Sequence, residues 1–164
     1  MEKLQMHIEM DVYDSEQELS EQDRVLLQKA REASQSAYAP YSKFQVGAAV
    51  LLNDGTMVTG NNQENAAYPS GMCAERVAIF YARARFPEKN VVAVAVYAFS
   101  ENFEVDHVLT PCGTCRQVMS EYEKNGGVDI RVILQSGKGL LYVSPNVRTF
   151  LPWGFLEEGL KGAK

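Results

Sequence analysis

Cys73, Cys112 and Cys115 are the only cysteines in this chain of 164 residues, and each falls where the local pattern predicts the start of a helix. Two of them form Pro111-Cys112-Gly113-Thr114-Cys115, and the third opens Cys73-Ala74-Glu75. A helix N-terminus presents unpaired N–H groups and the positive end of the helix dipole, which lowers a thiol pKa and favours the thiolate that a metal requires. A C-x-x-C turn lets two sulfurs converge on one ion. A third sulfur from a separate helix leaves a tetrahedral Zn²⁺ with one open position, the arrangement of a catalytic rather than a closed structural site.

Glu75 lies two residues beyond Cys73, within reach of that open position without being a ligand. A metal-bound water is acidified toward neutral pH, and a neighbouring carboxylate can take its proton and deliver it to a leaving group. Three thiolates on one Zn²⁺ leave the site net negative and the metal a poor electrophile. A guanidinium donating to the sulfurs would restore its power, so Arg76 is expected behind the ligands, with Gln117 orienting it. Two blander readings compete. A redox pair at Cys112 and Cys115 leaves Cys73, Glu75 and Arg76 without purpose. A structural zinc site would recruit a fourth protein ligand, for which the histidines are His7, in the N-terminal arm, and His107, which reads as a solvated loop residue.

These residues need a scaffold, and the composition supplies an ordinary one. Hydrophobic residues at 46% and charged residues at 23% exclude a largely disordered or fibrous chain. A net charge of -5 and a pI near 5.1, with no basic stripe, argue against a long nucleic acid and fit a neutral small substrate. No apolar run approaches the ~20 residues of a membrane span, and the first residues are acidic rather than signal-like, so a cytoplasmic protein without disulfides is expected.

Residues 1–19 read as an arm of uncertain role, loosely alternating over Leu4 to Tyr13, and 20–164 as a single catalytic domain. Ser20 is a helix N-cap, and Val25, Leu26, Ala30, Ala33 and Ala37 keep helical spacing until Pro40. Phe44 to Leu52 and Thr56 to Gly60 flank Asn53-Asp54-Gly55 as a hairpin. Cys73 to Arg85 reads as a helix with an apolar face at Val77, Ala78 and Tyr81, and Val91 to Phe99 as a central strand. A helix over Cys112 to Lys124, a strand over Ile130 to Gln135, a turn at Ser136 to Gly139 and a strand over Leu140 to Val143 complete the pattern. The expected architecture is α/β, a three-layer α/β/α sandwich around a mixed sheet of about five strands.

Four motifs in order, Phe44-Gln45-Val46-Gly47-Ala48-Ala49, Asn62-Gln63-Glu64-Asn65-Ala66-Ala67-Tyr68-Pro69, Cys73-Ala74-Glu75-Arg76 and Pro111 to Gln117, make the chain resemble the small homotetrameric cytidine deaminases from about Ala37 to Phe155. The resemblance implies a cytidine deaminase-like fold, one Zn²⁺ per chain on Cys73, Cys112 and Cys115, and hydrolysis of cytidine and deoxycytidine in pyrimidine salvage. In that reading zinc-bound hydroxide attacks C4 and Glu75 shuttles the proton. It implies that Asn62 and Glu64 bind the ribose 3'-hydroxyl, that Phe44 lies beside the base, and that Ala74 and Glu75 hold the pyrimidine edge. It also implies a homotetramer whose sites are shared, with Tyr68 and Phe155 donated by neighbours. Gln63 departs from the family, which more usually carries a small aliphatic residue there. The rival readings are a deaminase of another amino-heterocycle, such as a blasticidin-like nucleoside or guanine, and a non-catalytic zinc-stabilised binding module. Glu75 counts against the latter and the Asn62/Glu64 pair against the former.

Overall fold

The computed structural model describes residues 1–137 and 139–156. In chain order they form β1 (Asp11–Tyr13), α1 (Glu21–Ser34), β2 (Phe44–Leu52), β3 (Met57–Asn61), α2 (Ala74–Arg85), β4 (Val91–Ser100), α3 (Gly113–Gly126), β5 (Arg131–Ser136) and β6 (Leu141–Ser144). The strands make one sheet in the order β1-β6-β5-β4-β2-β3. Of its pairings β4–β5 is parallel and the others are antiparallel. A parallel pair needs a crossover connection, and α3 is that crossover, so its N-terminus is delivered beyond the C-terminal end of β4.

The three layers follow from alternation along the strands. On one face Ala49 and Leu51 of β2, Ala93 and Ala95 of β4 and Ile133 of β5 pack under Leu26, Leu27 and Ala30 of α1. On the other, Val50, Val94, Val96 and Val132 pack under Ala78, Ile79 and Ala82 of α2 and Met119 of α3. Leu26, Leu27, Ile79 and Met119 are fully buried, each such large side chain contributing about 1.5–3 kcal/mol relative to exposure.

Two glycines set how closely the helices approach the sheet. A Cβ on Gly47 of β2 would stand 1.9 Å from the Ala30 carbonyl oxygen of α1, and one on Gly60 of β3 would stand 2.5 Å from the Ala78 nitrogen of α2. Both helix backbones therefore lie directly on the strands, and α2, which begins next to Cys73, has its height above the sheet fixed by Gly60.

The sheet has six strands rather than about five. The extra one is β1, from the arm, which pairs Asp11 with Val143 and Tyr13 with Leu141 of β6 and so covers that edge. It takes only three residues of the loosely alternating arm and lies on a sheet edge, too short a stretch to stand out as a strand. Ser20 caps α1 as expected, its hydroxyl accepting the Asp23 N–H at 3.1 Å. The helix ends at Ser34, well before Pro40, because Ser36 and Ala37 turn back onto the Ala33 and Ser34 carbonyls and Asn61 donates to the Ala33 carbonyl at 3.0 Å. Tyr81, expected on the apolar face of α2, is 58% exposed; the buried apolar face is Ala78, Ile79 and Ala82, with the Ala78 backbone resting on Gly60. The expected catalytic domain runs to 164, of which 157–164 lie outside the described residues.

Candidate active site

Cys73 is the N-cap of α2, Cys112 the N-cap of α3, and Cys115 sits in the first turn of α3. The two helix N-termini meet beneath one cavity, and the three sulfurs lie within 4.8 Å of one another. Cys73 Sγ is 3.8 Å from Cys112 Sγ, which is 3.5 Å from Cys115 Sγ. Ligands about 2.3 Å from a tetrahedral zinc stand about 3.8 Å apart, so the sulfur triangle has the size that ion requires. Neither His7 nor His107 belongs to the cluster. His107 is exposed and paired with Asp106 at 2.9 Å.

Cys73 is the sulfur of the triangle held readiest to ionise. Hydrogen bonding from the Cys115 thiol, with help from Arg76, brings the Cys73 thiol down to about 5. Cys115, the donor in that pair and fully buried, is pushed well above its ordinary value. Burial works against the Arg76 charge, but Cys73 and Cys115 outweigh it and raise the guanidinium's hold on its proton. Arg76 Nε is buried without a hydrogen-bond partner among the described residues. An accumulation of sulfur charge on a bound metal would satisfy it.

Glu75, in the first turn of α2, is 4% exposed, and burial, reinforced by the nearby Cys73 charge, pushes its carboxyl up to about 7. Ala74, Glu75, Arg76, Cys73 and Cys112 all line a cavity of about 630 Å³. That is within the range of small-molecule pockets. Its other wall comes from the hairpin and the segment after β3, with Phe44, Asn62, Glu64 and Tyr68 contributing.

Asn62 is held by both ends of its carboxamide: Oδ1 accepts the Val46 N–H at 2.8 Å and Nδ2 donates to the Phe44 carbonyl at 3.0 Å. One N–H and one lone pair of that amide are left for a ligand. Glu64 accepts from the Ser42 hydroxyl and from the Tyr41 and Ser42 N–H groups at 2.9 and 3.3 Å. These bonds, the Ser42 hydroxyl first, hold its carboxyl below the usual range, so it stays an acceptor at neutral pH.

The structure thus gathers the expected residues around one cavity, with Cys115 buried behind Cys112, except for Phe155 and Gln117. Phe155 is not among the lining residues, and its ring is 64% exposed. Gln117 is used differently from expectation, because both ends of its amide engage the Phe155 backbone, at 2.6 and 3.0 Å, rather than orienting Arg76. Tyr68, expected to serve a neighbour, lines the cavity of its own chain. Sequence reasoning missed Tyr41, Ser42, Leu109 and Thr110, which also line it. The signal for the first two was present in the turn after Pro40, which places them beside the strand that starts at Phe44.

Residues 20–127 match the family model described as the cytidine and deoxycytidylate deaminase zinc-binding region. Over 98 residues the chain is 46% identical to a cytidine deaminase of Halalkalibacterium halodurans, spanning 60% of this chain and 70% of that protein. Over 138 residues it is 41% identical to a cytidine deaminase of Sporosarcina psychrophila, spanning 84% and 94%. The crystal structure of cytidine deaminase from Burkholderia pseudomallei aligns with a TM-score of 0.70 at 39% identity, covering 80% of this chain and 97% of that one.

Proposed function

Since this chain belongs to the zinc-binding cytidine and deoxycytidylate deaminase family, we propose that it hydrolyses cytidine and deoxycytidine to uridine and deoxyuridine with release of ammonia, a step of pyrimidine salvage. The observation that carries this reading is the position of Glu75, a buried carboxylate beside three convergent sulfurs at the floor of a nucleoside-sized cavity. Opposite it stand a carboxylate and an amide, Glu64 and Asn62, with hydrogen-bonding capacity to spare.

Cys73, Cys112 and Cys115 would hold the metal, which when bound supplies a Lewis acid that acidifies a water at its open position. The residues of the chain do the rest. Glu75 takes a proton from the attacking water and gives it to ring N3 as the new C–O bond forms at C4; it then carries the proton of the new C4 hydroxyl to the amino group, which leaves as ammonia while C4 becomes a carbonyl. The backbone at Ala74 fixes the pyrimidine edge, and Phe44 flanks the base. Asn62 and Glu64 bind the sugar 3'-hydroxyl with the capacity their own partners leave over, so an analogue lacking that hydroxyl forfeits both bonds and is disfavoured. Arg76 draws charge from the sulfurs.

No helix among the described residues is long and apolar enough to cross a membrane. A homotetramer with shared sites belongs to the same reading, and exposed Phe80, Tyr81, Trp153 and Phe155 are apolar groups that such contacts would cover. The test is the ultraviolet change of zinc-quantified protein with cytidine and, separately, with cytidine monophosphate. Loss of the cytidine band with ammonia release and silence on the monophosphate is the expected result. Full zinc loading with no turnover of cytidine or deoxycytidine overturns the reading.

A further inference from the structure

The first two turns of α3 carry a second set of contacts besides the cysteines. Arg116 donates through Nε to the Pro111 carbonyl at 2.6 Å, through Nη2 to the Thr110 hydroxyl at 2.8 Å and through Nη1 to the Phe150 carbonyl at 3.2 Å. Gln117 takes the other end of the same segment. Its Nε2 donates to the Phe155 carbonyl at 2.6 Å, and its Oε1 accepts the Phe155 N–H at 3.0 Å. Between these anchors Gly154 passes so close to the helix that a Cβ there would stand 3.0 Å from Ser120 Oγ. Phe150 to Phe155 is therefore strapped along the helix that begins with Cys112.

A primary amide offers one donor and one acceptor side by side, which matches the N–H and C=O of a single extended residue. With both main-chain groups spent on Gln117, residue 155 is held as firmly as in a strand pair, yet its side chain is left out in solvent and outside the cavity of its own chain. Such fixing costs the folded chain little and removes the entropy that a loose aromatic would lose on meeting a ligand.

We infer that Gln117 is a positioning residue that holds Phe155 away from its own chain's cavity and presents the ring to the cavity of a second copy of this chain, against the pyrimidine of the substrate. This inference rests on the proposed nucleoside deaminase with shared sites, and adds to it the device that aims the shared residue. Gln117 touches no reacting atom; it acts through Phe155.

The test is steady-state kinetics with cytidine on the full-length zinc-loaded enzyme for Phe155→Ala, Gln117→Ala, Gln117→Glu and the double variant Gln117→Ala/Phe155→Ala. Zinc per chain, Tm and mass in solution are measured on each. Phe155→Ala is expected to raise KM about tenfold, the loss of one aromatic contact, with kcat less affected. Gln117→Ala should raise KM by a similar factor at unchanged zinc content and mass, and the double variant should be no worse than Phe155→Ala alone. Gln117→Glu, which cannot donate to the Phe155 carbonyl, should behave like Gln117→Ala. In oligomers mixed from Phe155→Ala and Glu75→Gln chains, a fraction of sites should regain wild-type KM, because intact Glu75 sites receive Phe155 from the other chain type. If Phe155→Ala raises KM while Gln117→Ala leaves it alone, if the two effects multiply, or if Gln117→Ala loses zinc, the role of Gln117 is overturned and the shared site stands. Wild-type kinetics in Phe155→Ala, a monomer in solution, or mixed oligomers that show only the Phe155→Ala value overturn the shared site itself.

Discussion

The ring of Phe103 lies nearly parallel to that of Phe44, with centroids 6.0 Å apart and 17° between the planes. Phe44 lines the cavity, while Phe103 reaches the Phe44 ring from the loop between β4 and α3. That loop is pinned by buried Val105 and by the Leu109 N–H donating to Ser136 Oγ at 2.9 Å. Phe103 thus backs the ring expected to flank the base, and a stacked pair of this kind contributes about 0.5–1.5 kcal/mol beyond its buried area. Phe103→Ala should raise KM for cytidine by a few-fold, within that energy, leaving kcat and zinc content near wild type, and Phe103→Leu should recover part of the loss. Equal KM values for Phe103→Ala and wild type would show that Phe44 needs no backing.

Glu75→Gln keeps the size of the side chain and removes its ability to take a proton. Turnover should fall by about two to four orders of magnitude, the usual span for a general acid–base group, while zinc per chain and Tm stay close to wild type. The burial of Glu75 makes the amide cheaper to accommodate than the charged carboxylate, so a lost rate is not explained by misfolding, and an undiminished rate would remove Glu75 from the proton transfer.

Cys112 is exposed whereas Cys115 is fully buried. Cys112→Ala consequently opens no cavity in the core, and any loss of stability reports the lost metal. Metal binding free energy is folding free energy where the ligands come from separate elements, here the starts of α2 and α3. Chelation should lower the Tm of the wild type and abolish turnover, and should barely move the Tm of Cys112→Ala. A chelator effect of equal size in both proteins would place the stabilising metal elsewhere.

Asp54, in the β2–β3 turn, is held at about 2 by its hydrogen bond to Lys89 first and the Thr56 N–H second, below the 3.8 it has when free. Its folded pKa is depressed, so its contribution to stability is present above about 4 and is lost as pH falls through about 2. The pair lies at the surface and the effect is small. Urea midpoints of wild type and Asp54→Asn should differ by a constant amount from neutral pH down to about 4 and converge below it. A gap that persists unchanged to the lowest pH would mean that the carboxylate charge contributes nothing.

Removal of residues 1–14 uncovers β6, whose backbone groups at Leu141 and Val143 would be left without the pairing that β1 provides. An unpaired strand edge is a template for another chain. The truncated protein should associate in a concentration-dependent way in light scattering while keeping its kcat, because the arm contributes none of the cavity lining. A truncated protein that stays at the wild-type mass would remove this role from the arm.

Much of the fold can be read from the sequence because its signals are local. The Phe44–Leu52 strand, the Asn53-Asp54-Gly55 turn and the Ser20 cap depend on neighbours a few residues away, and they lie where periodicity and capping place them. The cysteine cluster is legible for a different reason: the chemistry of three thiols at helix starts has few uses. What escapes the sequence is long-range. The partner of Gln117 is a backbone group 38 residues away. The end of α1 is set by Asn61 on β3, and which face of α2 is buried depends on the close approach of Ala78 to Gly60 on another strand, which leaves Tyr81 outward. Phe103 and Thr110 sit in a loop whose path depends on Ser136 and Arg116 rather than on any pattern of its own.

Gly47 and Gly60 also bear on how the protein can be altered. Replacing glycine by alanine inside regular structure is a routine way to raise stability, since it reduces the freedom of the unfolded chain. At Gly126, near the end of α3, an added methyl meets only the Asn90 side chain at 3.4 Å, so the exchange has room. At Gly47 and Gly60 the same exchange drives a methyl into helix backbone, and the whole of α1 or α2 must lift from the sheet to admit it. Any library meant to toughen this enzyme should hold both positions invariant: a lifted α2 carries Cys73 and Glu75 with it, so the first property lost would be metal retention.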